Sequence, residues 1–477
     1  VRQALLRQTL DYFRGFVEQP NDNPELRTLR ALAYSRIGSL SRDLGSIADA
    51  LDADRHAIQL FQELAAADPR KLDFRRRIGV CQNNLALDLE QSGRIDDARR
   101  AYAEAIHLQE EVIDAAEDSG QSLADLAKAH GNLGLLQNET GDVESASASF
   151  ARAVGLQEQL LRAAPDDPER LRDLAVTLNK LGALHAERQP AKAIEYYEKA
   201  AAMQKKAVEL RPEESIYRNE LALTYNNLGA SQSRSGAMAQ AVESDAKVVD
   251  LATELVRQSP AQKAYRRTLA VGFDHLGLAQ SKLGHAAAAE PSFRDALALL
   301  ETLVKQDPRD VDLQSVIGGV YNNLGIVLEE LNRSADAVKA YEQAVAHQQQ
   351  AMAKAPQITK YRQFLSKHYF NYGRVLRKMG RLGDAAQAAL ARRELWPKDP
   401  QHLFSVAEDL ALIARDISAG GKAGASGKIT TDKCGAAAVA TLKQAAAAGW
   451  KPAANSDWTK SFLAIKNRAD FLALTKN

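Results

Sequence analysis

The chain of 477 residues carries 62 basic and 61 acidic side chains, a formal net charge of +1, so no overall field draws it to nucleic acid or to an anionic membrane surface. No apolar run approaches the roughly 20 residues that cross a bilayer, which argues against direct membrane insertion, and no signal peptide pattern opens the chain. The two cysteines, Cys81 and Cys434, lie far apart and match no metal or redox spacing; Cys81 falls on a helical face expected to be buried and reads as a small core residue.

The chain opens with Val1 inside a helical pattern and without an initiator methionine, which leads us to expect a fragment or a processed product. A short signature then returns along its length. It reads YSRIG ending at Gly38, QNNLA at Ala86, HGNLG at Gly134, LNKLG at Gly182, YNNLG at Gly229, FDHLG at Gly277, YNNLG at Gly325 and FNYGR around Gly373. From 38 to 373 every step is 48 residues except the 47 between 182 and 229. A fixed period of that size marks a stacked repeat protein.

The seventh copy shows the physical content of one repeat. Leu313, Val316, Ile317, Val320, Leu324, Val327, Leu328 and Leu331 follow helical spacing and predict an amphipathic helix of about 20 residues. Asn332 and Arg333 interrupt it where other copies carry Gly45, Gly93, Gly141, Gly236, Gly284 or Gly380, residues suited to a left-handed C-terminal cap. A second helix follows through Ala337, Tyr341, Ala344 and Val345 and ends before Pro356, which recurs in register as Pro69, Pro165, Pro212, Pro260 and Pro308.

Glycine inside a helix costs about 1 kcal/mol relative to alanine, yet seven of the eight anchors keep it. Close approach of the paired helix would explain this, because that helix offers Ala98, Ala146, Ala193, Ala241, Ala289, Ala337 and Ala385. Tyr102, Phe150, Tyr197, Phe293 and Tyr341 follow and are expected to fill the gap to the neighbouring pair.

Several copies depart from the pattern. Repeat four has Gln189 and Pro190 at its turn; Asp54, Asp245 and Ala389 replace the aromatic in repeats one, five and eight. Looser packing, or aspartates reaching solvent, is expected there. Glu117 stands where the proline before repeat three should be, and the polar stretch Glu117 to Ser122 predicts a longer loop. After Pro400, a helix over roughly His402 to Ile417 resembles a first helix without its partner. A Gly-rich linker, Ser418 to Lys428, then leads to an Ala-rich helix near Ala436 to Ala448. Trp450, Trp458, Phe462, Leu463, Phe471 and Leu472 read as a cap over the exposed end of the stack. The expected divisions are 1–400 for eight repeats, 401–417 for a terminal helix, 418–430 for the linker and 431–477 for the cap.

Taken together, the anchor Gly, the turn Gly seven later, Ala twelve later, Tyr or Phe sixteen later, and Ala105, Ala153, Ala200, Ala296 and Ala344 nineteen later resemble the tetratricopeptide repeat. The usual unit of that family is about 34 residues, and the extra length here fits about two further turns on each helix. The resemblance implies an all-α, right-handed α-solenoid of eight helix-turn-helix repeats with elongated helices and a C-terminal capping segment. The long wording, Tyr217, Arg218, Leu221, Ala222 and Asn226 to Gly229, is similar to arrays that follow bacterial serine/threonine protein kinase domains and to kinesin light chain repeats. The likeness to the bacterial arrays extends to Arg392–Ala411 and Asp457–Leu474. It implies a protein or peptide partner, in an interaction or sensor region of a kinase.

Chemistry is poorly represented. Gly424, Gly427 and Lys428 brush against a phosphate-binding loop, but Ile429 follows the lysine, the glycine spacing is wrong and no strand precedes it. Kinase catalytic signatures are missing, and Arg415–Asp416 is a stray pair in a helix. The nine histidines show no paired-ligand spacing. We expect no catalytic residue, metal or cofactor in this segment, although the parent polypeptide could be a kinase.

The asparagines are different, because asparagine is a mediocre helix former whose recurrence inside a helix needs a reason. One row, three residues before the anchor, reads Ser35, Asn83, Gly131, Asn179, Asn226, Asp274, Asn322 and Phe370. The next reads Arg36, Asn84, Asn132, Lys180, Asn227, His275, Asn323 and Asn371. Consecutive residues lie about 100° apart, so one of each pair is expected to face a neighbouring helix. In the resembled family, first helices line a groove, and an amide there can serve the main chain of an extended peptide. The ligand row is therefore expected to be Asn84, Asn132, Lys180, Asn227, His275, Asn323 and Asn371. The alternative is that these residues only maintain the stack of a free-standing or self-associating scaffold. The compartment stays open: cytoplasmic for a free-standing array, extracytoplasmic if it follows the membrane span of a receptor-type kinase.

Overall fold

The computed structural model describes residues 2–18, 24–115, 120–420, 430–452 and 457–475, which form helices and no strands. The chain divides into two compact units, 1–235 and 236–477. Unit one holds α1 (Arg2–Val17), α2 (Pro24–Asp43), α3 (Ile47–Ala67), α4 (Leu72–Gln91), α5 (Ile95–Ala115) and α6 (Gly120–Glu139). It continues with α7 (Val143–Ala163), α8 (Pro168–His185), α9 (Pro190–Leu210) and α10 (Ser215–Ser235). Unit two holds α11 (Met238–Gln258), α12 (Lys263–Lys282), α13 (Ala286–Gln306), α14 (Val311–Glu330), α15 (Ser334–Lys354) and α16 (Thr359–Lys378). Its remaining helices are α17 (Leu382–Leu395), α18 (Pro400–Ser418), α19 (Thr431–Ala447), a 3-10 helix at Trp458–Ile465, and α20 (Ala469–Thr475). Within each unit, chain neighbours pack as helical pairs stacked on the next pair, giving the all-α helical-repeat architecture expected from the sequence.

The turns follow from single residues. Gly45, Gly93, Gly141, Gly236, Gly284 and Gly380 have φ between 73° and 87°, and Asn332 reaches 60°. In repeat seven, the amide of Asn332 donates to the Glu329 carbonyl (3.0 Å) and that of Arg333 to Leu328 (2.8 Å), which satisfies the last carbonyls of α14. Repeat four does without a left-handed residue. Its first helix stops early, at His185, and Pro190 starts α9 at a position that needs no N–H donor.

Proline sits two residues beyond the ends of α3, α7, α9, α11, α13 and α15. At the joint before repeat three, where a longer loop was expected over Glu117 to Ser122, Gly120 to Ser122 already belong to α6. Glu117 itself lies outside the described residues, as does most of the Gly-rich linker, including Gly424, Gly427 and Lys428.

The anchor glycines meet rings rather than alanines. A Cβ added at Gly325 would stand 2.6 Å from the Tyr341 ring, at Gly182 2.6 Å from Tyr197, at Gly134 2.9 Å from Phe150 and at Gly277 3.0 Å from Phe293. Each ring thus lies against the glycine of its own repeat. Two of the tyrosine hydroxyls find an acceptor four residues past the anchor: Tyr341 donates to Glu329 (2.7 Å) and Tyr102 to Glu90 (3.0 Å).

The two aspartates at ring positions do not reach solvent, contrary to the expectation above: Asp54 is 0% and Asp245 2% exposed. Asp54 occupies the ring's place, where its carboxylate would meet a Cβ on Gly38. Arg42, four residues past that anchor, binds Asp54 at 3.1 Å and also holds the buried Asp88 of the next repeat. An ion network therefore replaces the ring. Burial, with Asp88 nearby, pushes the Asp54 carboxyl above its ordinary range, and Arg42 opposes that shift.

Cys81 is buried with Ala57, Phe61, Phe74 and Ile78. At the other end of the chain, α18 packs against α19, so the terminal first helix has a partner that its sequence context did not reveal. Phe404 of α18 stacks on Trp450 (4.3 Å between centroids), which meets Trp458 edge-on at 5.4 Å. Phe462 and Phe471 are buried beneath them, while Leu463 and Leu472 stay exposed.

Candidate functional site

The two asparagine rows sit on the first helices, and the structure couples them. In unit one, the Asn132 side-chain amide of α6 donates to the Asn83 side-chain oxygen of α4 at 3.0 Å. In unit two, Asn323 donates to Asp274 (3.4 Å) and Asn371 to Asn322 (2.9 Å). Each bond spans 49 residues, linking the second row of one repeat to the first row of the repeat before it. Asn179 instead donates to the Thr224 hydroxyl of α10 (2.7 Å). Asn83 and Asn322 are buried against neighbouring helices.

In the second row, Asn84, Asn132, Lys180, His275 and Asn323 are half-buried, Asn227 is exposed and Asn371 is buried. The main-chain carbonyl of Asn84 accepts from Arg42 (3.3 Å). Burial holds the Lys180 ammonium below its usual pKa. It also raises Asp274, against the pull of His275 and the Asn323 hydrogen bond. The row therefore splits. Asn371 is committed to the stack, while Asn132 and Lys180 border open space.

That space is a hollow of about 470 Å³ in unit one between α6, α7 and α8. Asn132, Lys180, Lys128 and Thr177 line it alongside the acidic Asp125 and Asp173. Gly131 helps to open it, since a Cβ there would meet nothing within 4 Å. Asp125 is bound by Arg76 from α4 (2.7 Å), Arg170 donates to the Leu160 carbonyl (2.6 Å), and Gln157 donates to the Asp173 carbonyl (3.2 Å), so the walls are braced. Lys180 also lines a second hollow of about 330 Å³ with Leu184, Phe150 and Arg188. One ladder residue thus borders both cavities.

Lys128, Asp125, Asp173, Thr177 and Gln157 were not picked out from sequence. Their clue was indirect: repeat three substitutes Gly131, and repeat four Lys180, at rows that elsewhere favour asparagine. The set offers donors, acceptors and charges of both signs to a polar ligand. Among the described residues no group of three or more His, Cys, Asp or Glu is arranged to hold a metal ion. No described helix is long and apolar enough to cross a membrane.

Stacked antiparallel helical pairs, joined by left-handed glycines and locked by a ring on a glycine, define a helical-pair repeat protein. The particular repeat is the tetratricopeptide repeat, whose family models match residues 79–117, 127–160 and 281–351; the chain is a tetratricopeptide repeat array. Arrays of this kind are protein-interaction scaffolds. No curated protein sequence matches the chain. Among solved structures it is similar to apo RapI, at 12% identity and a TM-score of 0.49 over 88% of this chain and 97% of that one. It is also similar to BtubC (BKLC) from P. vanneervenii, at 19% identity and a TM-score of 0.39 over 53% and 90%. The S. pombe nuclear import adaptor Nro1 matches at 10% identity and a TM-score of 0.44 over 62% and 100%. At these values the likeness brings no function with it.

Proposed function

We propose that this array grips an extended peptide segment of a protein partner along its first helices, with the hollow between α6, α7 and α8 as the principal seat. The observation that carries the reading is that Asn132 and Lys180, both on the ladder row, line the same 470 Å³ hollow. Asn132 supplies amide chemistry to a peptide main chain, and Lys180 and Lys128 favour a partner with an acidic side chain. The decisive experiment selects peptides on the intact chain and then measures their affinity for Asn132→Ala with Lys180→Ala. A loss of about tenfold or more supports the seat. Unchanged affinity in the double variant removes it.

A second reading has one observation in its favour. The side-chain bonds of Asn132, Asn323 and Asn371 serve the stack itself, as they would in a free-standing structural scaffold that self-associates. Light scattering over a wide concentration range separates the two, because a strict monomer eliminates self-assembly. On the wording of the repeat we further propose that the array belongs to a polypeptide bearing a bacterial serine/threonine kinase domain. The reading frame around the coding sequence tests this, and a frame with no kinase domain rejects it.

A further inference from the structure

We propose that the ring slot of repeat eight is a binding site for an aromatic ring attached to a carboxylate. This inference is independent of the groove reading and concerns unit two of the chain. In repeats three, four, six and seven a ring from the second helix fills the space over the anchor glycine. Repeat eight keeps the glycine, Gly373, but places Ala389 at the ring position. A Cβ at Gly373 would meet nothing nearer than 3.6 Å, whereas the same atom at Gly325 would strike Tyr341 at 2.6 Å.

The vacated space is a hollow of about 160 Å³, floored by Gly373, Ala385 and Ala389 and walled by Tyr369, Phe370 and Ile413. An apolar cavity of roughly 150 Å³ admits a benzene ring, so one ring fits.

The residue four positions past the anchor is in several repeats the polar companion of the slot residue. Tyr102 has the acceptor Glu90 there and Tyr341 has Glu329, whereas Tyr197 has Ala186 and Asp245 has Ser233. Where the slot holds Asp54, that position holds a cation, Arg42, which binds the carboxylate at 3.1 Å. In repeat eight it is again a cation, Arg377, and it lines a slot whose own residue carries no carboxylate. Arg377 is otherwise held by Asp416 at 3.5 Å, with both side chains 29% exposed.

Arg374 and Arg392 also line the hollow, and Arg374 is paired with Glu329 at 2.6 Å. Arg392 is fixed by Asp409 at 2.9 Å and lies over the Phe370 ring at 5.1 Å. Of the three ion pairs, Arg377–Asp416 is the longest, so an incoming carboxylate would take the place of Asp416 on Arg377 while the floor favours an arene. A ligand carboxylate at Arg377 would occupy the role that Asp54 fills in repeat one. Two sources offer this chemistry: a free aromatic acid, or the C-terminal Phe or Tyr of a protein.

The test is calorimetric titration of the full chain with 3-phenylpropionate, with a short peptide ending in Phe and a free carboxylate, and with the same peptide amidated. We expect at least one of the two acids to bind. Ala389→Phe should restore the repeat code, raise the melting temperature and weaken that binding about tenfold or more. Arg377→Gln should weaken the acids by a similar factor while leaving the weak binding of 3-phenylpropanamide unchanged. Binding of the free acid points to a small molecule, and binding of the peptide acid alone points to a protein C-terminus; both support the site. Failure of both acids to bind overturns it, as does equal binding of the amidated peptide or undiminished binding by Ala389→Phe. A fall in melting temperature for Ala389→Phe would show that the slot does not fit a ring and would also overturn the proposal.

Discussion

Replacing Gly325 by alanine sets two effects against each other, and a second glycine on the same helix isolates one of them. Alanine in place of glycine inside a helix gains about 1 kcal/mol. At Gly319 of α14 a new Cβ would meet nothing within 4 Å, so Gly319→Ala should be stabilising by about that amount. At Gly325 the new methyl would stand 2.6 Å from Cε1 and 2.8 Å from Cζ of Tyr341. That ring is 0% exposed and tied to Glu329 at 2.7 Å, so it can move only by stretching that bond or displacing its neighbours. Overpacking of this kind costs about 1–3 kcal/mol. Repeat two carries Ala86 beside Tyr102 with both fully buried, which shows that a ring can be set to admit the methyl and keeps the estimate at the lower end. Gly325→Ala should thus range from neutral to about 2 kcal/mol destabilising. Because repeat arrays can open in segments, hydrogen exchange of the α14 amides is the sharper assay, with thermal melting beside it. In a Tyr341→Ala background the obstacle is gone and Gly325→Ala should become stabilising. If Gly325→Ala stabilises the wild type as much as Gly319→Ala does, the ring-on-glycine lock is wrong.

Four further outcomes follow from named residues. Burial, reinforced by Asp274, raises Asp245 from the ordinary 3.8 to about 7. With its folded pKa above the unfolded one, its contribution is full below about pH 4 and is lost as pH rises towards 7, by up to about 1.4 kcal/mol per pH unit. Melting temperatures at pH 5 and pH 8 should therefore differ more for the wild type than for Asp245→Asn. Asn371→Ala leaves the buried Asn322 oxygen without its donor and should cost about 1–3 kcal/mol. Lys180→Ala, whose side chain makes no buried bond to the stack, should lie within about 0.5 kcal/mol of wild type by chemical denaturation. Phe404→Ala removes the stacking partner of Trp450. It should raise Trp450 solvent exposure, read as a red shift and stronger quenching of tryptophan fluorescence; an unchanged spectrum would contradict the cap.

How much of this was legible beforehand depended on whether one residue or a pair of helices decided the outcome. Gly45 and its equivalents could be read directly, because a positive φ is a property of a single residue, and Asn332 declared itself as the tolerated substitute. Helix lengths followed from apolar spacing, and the prolines marked the joints. The fate of the missing rings was not legible, because it depends on a residue of the other helix. Asp54 and Ala389 look like equivalent losses, yet Arg42 turns the first into a buried ion network while Arg377 borders an open slot at the second. The ninth helical pair was hidden for a related reason: α19 lies beyond the linker, and nothing local to α18 names its partner.

The asparagine ladder shows why a sequence row need not be a functional row. Its members share a position in the repeat, but each has a different neighbour 49 residues earlier. Asn132 meets Asn83, Asn323 meets Asp274 and Asn371 meets Asn322, so the same amide is held by a neutral or an acidic partner at different depths. At these three joints the amide serves the stack. A binding surface additionally needs open volume, and volume is created where the pattern is broken, by Gly131 and Lys180 in repeats three and four and by Ala389 in repeat eight. Residues that keep the repeat regular therefore specify the scaffold, and residues that violate it without opening a charged or apolar gap, as Asp54 does, are repaired internally. Violations left unrepaired are where a partner can enter, which places the functional information of this array in its irregularities.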